Sequence, residues 1–169
     1  AYILCTHGSG MTITLPQDSP LKALAVDIRR NLQSPISEME LPITAETRTG
    51  DTPQRNRQRQ REKPPHLLLT TPESLALLLS YADAPQMFQL LNTIIIDELH
   101  ALVGTKRGDL LALCMARIST LAKGSRRVGL SATVAWPEDL AAWLSNAADA
   151  GTVRRIVSKE AVEPEIRIL

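Results

Sequence analysis

Thr93-Ile94-Ile95-Ile96-Asp97-Glu98-Leu99-His100 decides how the chain is read. Three consecutive isoleucines predict a strand over Thr93 to Ile96. A run without polar alternation suits a central strand covered on both faces, as in a parallel sheet. Two adjacent carboxylates then stand where the strand ends. At such a position one carboxylate can hold a hydrated Mg²⁺ beside a nucleotide's phosphates. Its neighbour points elsewhere and can orient or activate water. An Asp-Glu pair by itself is weak evidence, because it can equally serve as a helix cap with a first-turn acid.

Outward from this stretch, short apolar runs alternate with helical patterns. Apolar residues at 21, 24, 25, 28 and 32 have helical spacing from Leu21 to Leu32. Ile43 to Thr47 and Leu67 to Leu69 read as strands. Pro72 is placed to sit in the first turn of a helix capped by Thr71 and running through Glu73 to Ala82. Gly108 to Leu121 reads as a helix, Arg127 to Leu130 as a strand, and Pro137 to Leu144 as a helix. Ile156 to Val157 and Ile166 to Leu169 are candidate closing strands, and a further strand is expected around Ile13. Met87, Phe88, Leu90 and Leu91 read as core contacts. Strand and helix in alternation predict an α/β fold with a mainly parallel sheet flanked by helices. Ligands in such folds sit at the carboxyl ends of strands. The segments to examine are therefore Thr49 to Thr52, Thr70 to Glu73, Asp97 to His100, and Ser131 to Thr133.

The composition agrees and narrows the function. Hydrophobic residues make up 44% of the 169 and charged residues 22%, which excludes a disordered or collagen-like chain. The rings are Tyr2, Tyr81, Phe88, Trp136 and Trp143, too few for a sheet that stacks bases. Net charge is +1, so the global balance names no partner. Cys5 and Cys114 form no disulfide or zinc pattern, which points to a reducing cytoplasm. Cys114 lies on an apolar helix face and reads as an inert core thiol. No apolar run reaches membrane-spanning length, and no signal peptide is visible. The chain lacks an initiator Met and is read as trimmed or incomplete at its N-terminus.

Charge is concentrated in one place. Between Arg48 and Lys63 there are six basic residues and two acidic ones. This run is either a solvated helix or loop, or a set of phosphate contacts. On the second reading, replacing Arg55, Arg57, Arg59 and Lys63 with alanine should weaken single-strand binding and lower its salt dependence.

Asp97-Glu98-Leu99-His100 and Ser131-Ala132-Thr133 together resemble motifs II and III of superfamily 2 helicases. Ser19-Pro20-Leu21-Lys22-Ala23-Leu24 resembles motif Ia. Thr49-Gly50-Asp51-Thr52 and Thr70-Thr71-Pro72-Glu73-Ser74-Leu75 resemble the two nucleic-acid-contact motifs that follow. The five occur in the family's order. The segments ETRTGDTP (46–53), LLLSYADAP (77–85) and KRGDLLAL (106–113) resemble the large helicase-related (Lhr) branch, and within it the ligase-associated DEXH-box helicases of bacteria.

The resemblance implies a RecA-like domain of the phosphate-loop NTPase type over residues 19–169. That domain would be the first of two in an ATP-dependent 3′-to-5′ DNA helicase of DNA repair. It implies that Asp97 holds Mg²⁺ through water, that Glu98 activates the hydrolytic water, and that His100, Ser131 and Thr133 couple nucleotide state to the nucleic-acid site. Ser19, Lys22, Arg48, Thr49, Gly50, Thr70, Thr71 and Pro72 would line the DNA backbone track. Implied partners are single-stranded or tailed DNA, a second RecA-like domain, and a DNA ligase or nuclease. The residues themselves do not distinguish DNA from RNA.

One motif departs from the pattern. The family's phosphate loop carries a Lys, and Gly8-Ser9-Gly10-Met11-Thr12 has Met11 in its place. Six residues separate Thr12 from Ser19. A parallel crossover with its helix needs at least ten to twelve. Residues 1–18 are therefore either a degenerate phosphate-loop region, with Gly8, Gly10 and Thr12 as remnants of nucleotide binding, or a Gly-Ser turn before the strand around Ile13. The expectation is a helicase-derived chain that, alone, neither hydrolyses ATP appreciably nor unwinds DNA. The alternative is a non-enzymatic nucleic-acid-binding or interaction remnant.

Overall fold

The structure is a computed structural model that describes residues 11–15, 34–132, 136–145 and 153–157. Five strands form one sheet in the order β2-β3-β1-β4-β5: β1 Met11–Leu15, β2 Ala45–Arg48, β3 Leu67–Thr70, β4 Leu91–Ile96 and β5 Arg126–Gly129. Every pairing is parallel. The parallel α/β sheet expected from the sequence is present.

The isoleucine run explains the position of β4. Ile94, Ile95 and Ile96 are all buried, because β4 lies between β1 and β5 with both faces covered. Alternation along the strands sends Met11, Ile13, Leu68, Ile94 and Ile96 to one face. There they meet Leu75, Leu78, Phe88, Leu111, Met115 and Ile118 from helices Pro72–Ser80, Ala84–Phe88 and Lys106–Leu121. Each fully buried side chain of this size contributes about 1.5–3 kcal/mol relative to exposure.

The Pro72–Ser80 helix starts as its sequence predicts and ends two residues before the expected Ala82, because Tyr81 turns to an extended backbone. Pro72 occupies the first turn, and Thr71 Oγ1 accepts from the Ser74 N–H at 3.2 Å. Such a cap is worth about 1 kcal/mol. The Lys106–Leu121 helix begins two residues earlier than expected, because Thr105 caps it through the Gly108 N–H at 3.1 Å.

Several expectations are corrected. Leu90 is 62% exposed, since it sits in the turn between the Ala84–Phe88 helix and β4 rather than in the core. Residues 153–157 are exposed and form no strand. The expected Leu21–Leu32 helix and the 166–169 strand lie outside the described residues. The basic run forms a helix, Gln54–Glu62. Cys114 is buried, and desolvation pushes its thiol up to about 11, so it stays protonated at neutral pH.

Candidate functional site

Because all five strands are parallel, their carboxyl ends share one edge of the sheet. That edge gathers Thr49–Thr52 after β2, Thr71–Glu73 after β3, Asp97–His100 after β4 and Leu130–Ser131 after β5. The strand order reverses around β1, which is where doubly wound sheets open a ligand crevice.

Asp97 and Glu98 stand at the end of β4. The Asp97 carboxylate accepts from the Glu98 N–H at 3.0 Å, and Glu98 adopts a left-handed backbone with φ 51 and ψ 43. A non-glycine residue held there stores about 1–3 kcal/mol of strain, which concentrates at functional sites. The turn aims the two carboxylates differently: Asp97 is half-buried and Glu98 is exposed. The four-residue helix Leu99–Leu102 follows.

β4 and β5 continue into each other at this edge. The Leu130 N–H donates to Ile96 O at 2.8 Å and the Leu99 N–H to Leu130 O at 2.9 Å. The side chains extend the link. His100 Nδ1 lies 3.1 Å from Ser131 Oγ, and His100 Nε2 lies 3.5 Å from Glu98 Oε2. His100 thus connects the exposed carboxylate of one strand end to the hydroxyl of the next. Gly129 permits this closeness. A Cβ there would stand 2.7 Å from Leu99 Cδ2 and 3.2 Å from Leu144 Cδ2.

The strand end suits a cation held through water. Asp97 offers a reachable carboxylate, while among the described residues no group of three or more His, Cys, Asp or Glu could cage a metal. A nucleotide's phosphates find less. Thr12 does not open a helix, as a phosphate loop requires. It lies in β1, and its N–H donates to His66 O at 2.8 Å. Met11 is buried in the core beside it. Gly8 and Gly10 lie outside the described residues. The described residues contain no phosphate loop.

The residues expected to line a nucleic-acid track divide. Thr49 is half-buried and Gly50 exposed, in a turn at the β2 end. Arg48, Thr70 and Thr71 are buried, at 1%, 1% and 5% exposure, and so is Pro72. Their polar groups are turned inward. Thr70 Oγ1 donates to Arg48 O at 2.9 Å, Thr71 caps a helix, and Arg48 Nη1 donates to Arg57 O at 2.9 Å. Burial holds the Arg48 pKa below its ordinary value. The side chains of these four residues build the edge rather than face it. Ser19, Lys22 and Thr133 lie outside the described residues.

The arginines of the Gln54–Glu62 helix also have work inside the molecule. Arg57 reaches the carbonyls of the Thr49–Thr52 turn. Arg59 pairs with Glu46 at 2.7 Å. Arg61 pairs with Asp83 at 2.7 Å and lies over the Tyr81 ring, 3.9 Å from its centre. Arg55, Arg59 and Lys63 are exposed. For most of the run, then, the solvated-helix reading is nearer than direct phosphate contact. Alternating charge in a sequence cannot show which carbonyls a guanidinium meets after folding. His66 lies at the opposite, amino edge, where its Nδ1 accepts from the Thr44 N–H at 3.2 Å, so its role is structural.

The DEAD/DEAH box helicase family matches this sequence over residues 17–140. The chain is 45% identical over 141 residues to the Lhr helicase/probable uracil glycosylase of Mycolicibacterium smegmatis, covering 77% of this chain and 9% of that protein. It is 41% identical over 146 residues to ATP-dependent helicase Lhr-Core protein 2 of Thermococcus barophilus, covering 80% of this chain and 17% of that protein. Among solved structures, helicase Lhr of Mycobacterium smegmatis bound to ssDNA and AMP-PNP superposes with a TM-score of 0.68 at 43% identity. That match covers 80% of this chain and 18% of the other. Helicase MrfA, a DUF1998 protein bound to DNA and AMPPNP, superposes at 0.67 with 29% identity, over 80% of this chain and 19% of its own. The chain thus spans less than a fifth of the length of each of these relatives. The resemblance to the Lhr branch is borne out.

Proposed function

Because the chain belongs to the DEAD/DEAH box helicase family and has its RecA-like fold, we propose that it is the first motor domain of an ATP-dependent DNA helicase. The proposed domain takes in β1, Met11–Leu15, the middle strand of its sheet, as well as residues 19–169. In this reading Asp97 holds Mg²⁺ through water, and the exposed Glu98 carboxylate orients the water that attacks the terminal phosphate. His100 passes the state of that site to Ser131 and Thr133. Nucleic acid runs along the β2 side of the same edge, at Thr49 and Gly50, and Ser19 and Lys22 are proposed as further contacts. Three strand spacings put β2 roughly 14 Å from β4, so the two sites are separate and must be coupled through the sheet edge.

The observation that carries this reading is the single unit formed by Glu98, His100 and Ser131 across two adjacent strand ends. Single-stranded DNA is favoured over RNA because the 43%-identical relative was solved with ssDNA. The phosphate grip lies outside what the described residues supply. With Met11 where the family's phosphate loop carries a Lys, the chain is proposed to bind single strands while turning over ATP negligibly.

Binding of an oligo(dT) strand across a salt series tests the proposal. Affinity should fall linearly on a log–log plot, by about 0.7 per phosphate contact. Absence of binding, or binding indifferent to salt, would sink the nucleic-acid part of the reading.

A further inference from the structure

We propose that Arg57 is a positioning residue that aims the Thr49–Thr52 turn at a phosphate without touching the phosphate itself. The inference rests on the reading that Thr49 and Gly50 meet nucleic acid, and extends it to the residue that shapes them.

The hydrogen bonds are one-sided. Arg57 Nε donates to Thr52 O at 2.6 Å, and Nη2 donates to Thr49 O at 3.4 Å and to Gly50 O. One guanidinium thus gathers three carbonyls of a four-residue turn. Arg57 is itself anchored, since its own carbonyl accepts from the buried Arg48 Nη1 at 2.9 Å. Arg48 is tied in turn to β3 through Thr70. The clamp therefore stands on the core and not on a mobile side chain.

Peptide geometry supplies the consequence. In a trans peptide the C=O and the following N–H point in opposite directions. Thr49 C=O facing Arg57 turns the Gly50 N–H away from it, and Gly50 C=O facing Arg57 does the same to the Asp51 N–H. The Thr49 N–H is used internally by Thr52 Oγ1 at 2.9 Å, and the Thr52 N–H by Thr49 O at 3.2 Å. The Asp51 N–H has only a long contact to Thr49 Oγ1, at 3.4 Å. The Gly50 N–H has no partner among the described residues, and Gly50 is exposed. Successive outward N–H groups are the backbone's way of receiving an anion. Gly50 also leaves room for close approach, because a Cβ there would meet nothing within 4 Å.

The role is separable from that of a direct contact. A cation that touches phosphate lowers the salt slope when removed. A cation that shapes a turn lowers affinity and leaves the slope alone. Charge alone should not suffice either, because a lysine cannot reproduce the three-carbonyl fork.

The test is oligo(dT) binding across a salt series for the unaltered chain, Arg57→Gln, Arg57→Lys and Arg117→Gln, each checked by circular dichroism for native structure. Arg57→Gln and Arg57→Lys should both lose about tenfold in affinity, the scale of one hydrogen bond to a charged group, with the wild-type slope. The proposal is overturned if Arg57→Gln binds like wild type, if its slope drops by about 0.7, or if Arg57→Lys restores full affinity. Arg117→Gln, on the exposed face of the Lys106–Leu121 helix, should keep near-wild-type affinity. A tenfold loss there would show that loss of any surface charge, and not of the clamp, explains the Arg57 result. Failure of the unaltered chain to bind would instead remove the reading of Thr49 and Gly50 on which the proposal stands.

Discussion

Replacing Gly108 with alanine tests the packing that places the Leu99–Leu102 helix at the sheet edge. Gly108 is buried in the first turn of the Lys106–Leu121 helix, and its N–H is held by Thr105 Oγ1 at 3.1 Å. A Cβ added there would stand 2.1 Å from Leu102 O and 2.9 Å from Leu102 C. Ordinary contact begins at 3.4 Å, so the gap must open by more than 1 Å against backbone. A flexible side chain could swing aside, but a carbonyl cannot. Leu102 O also accepts from the Thr105 N–H at 3.1 Å and from Thr105 Oγ1 at 2.7 Å, so moving it disturbs the cap as well. Overpacking costs about 1–3 kcal/mol, and a weakened cap adds about 1 kcal/mol. The gain in helix propensity from Gly to Ala returns about 1 kcal/mol. The net expectation is a loss of about 1–3 kcal/mol, or roughly 2–12 °C in Tm for a chain of this size. Urea unfolding followed by circular dichroism measures it, with Gly50→Ala as the control. That control has nothing within 4 Å of its new Cβ and should stay within about 1 kcal/mol of wild type. A Gly108→Ala chain as stable as wild type would show that the two helices do not approach as described.

Three further outcomes are expected. Glu73 is partly desolvated, which raises its pKa, but hydrogen bonds from Arg107, its own backbone N–H and Thr71 prevail and hold it below the ordinary value. A lowered carboxylate pKa contributes stability that is present above the unfolded-state value and lost as pH falls through the folded one. Glu73→Gln should therefore cost under about 1 kcal/mol near neutrality, as exposed pairs do, and nothing in acid below the carboxylate range; equal differences at both pH values would contradict this. In a Cys5→Ser chain, Cys114 should react with a thiol reagent only as fast as the protein opens, because it is buried and its thiol is pushed up to about 11; rapid native-state labelling would place it at the surface. Ser131→Ala removes the hydroxyl 3.1 Å from His100 Nδ1, and should leave the melting temperature within a few degrees because Ser131 is exposed; a larger fall would show that this contact holds the two strand ends together.

What the sequence disclosed and what it withheld follow from the range of the interactions involved. Ile94 to Ile96 announced a doubly covered strand because apolar burial is additive along a run. Thr71 and Pro72 announced a helix start because capping is local. The Asp97–Glu98 position was legible for the same reason. Arg48 was not, since its burial depends on Arg57 and Thr70, nine and twenty-two residues away. The inward role of Arg57 was hidden likewise, as a basic run looks the same whether its cations meet solvent, phosphate or carbonyls. Gly108 read as an ordinary first helical residue, because nothing in the chain's order shows that Leu102 O will lie against it. Leu90 was misplaced because the apolar residues around it fitted a helix that ends at Phe88.

ATP turnover with saturating oligo(dT), compared between the unaltered chain and Glu98→Gln, tests the central claim most directly. The claim is that these residues supply the hydrolytic and coupling half of a helicase motor and not its phosphate grip. The account predicts DNA-bound protein with no turnover above the Glu98→Gln background. DNA-stimulated turnover that Glu98→Gln abolishes would contradict it, and would show that this chain grips the phosphates by itself.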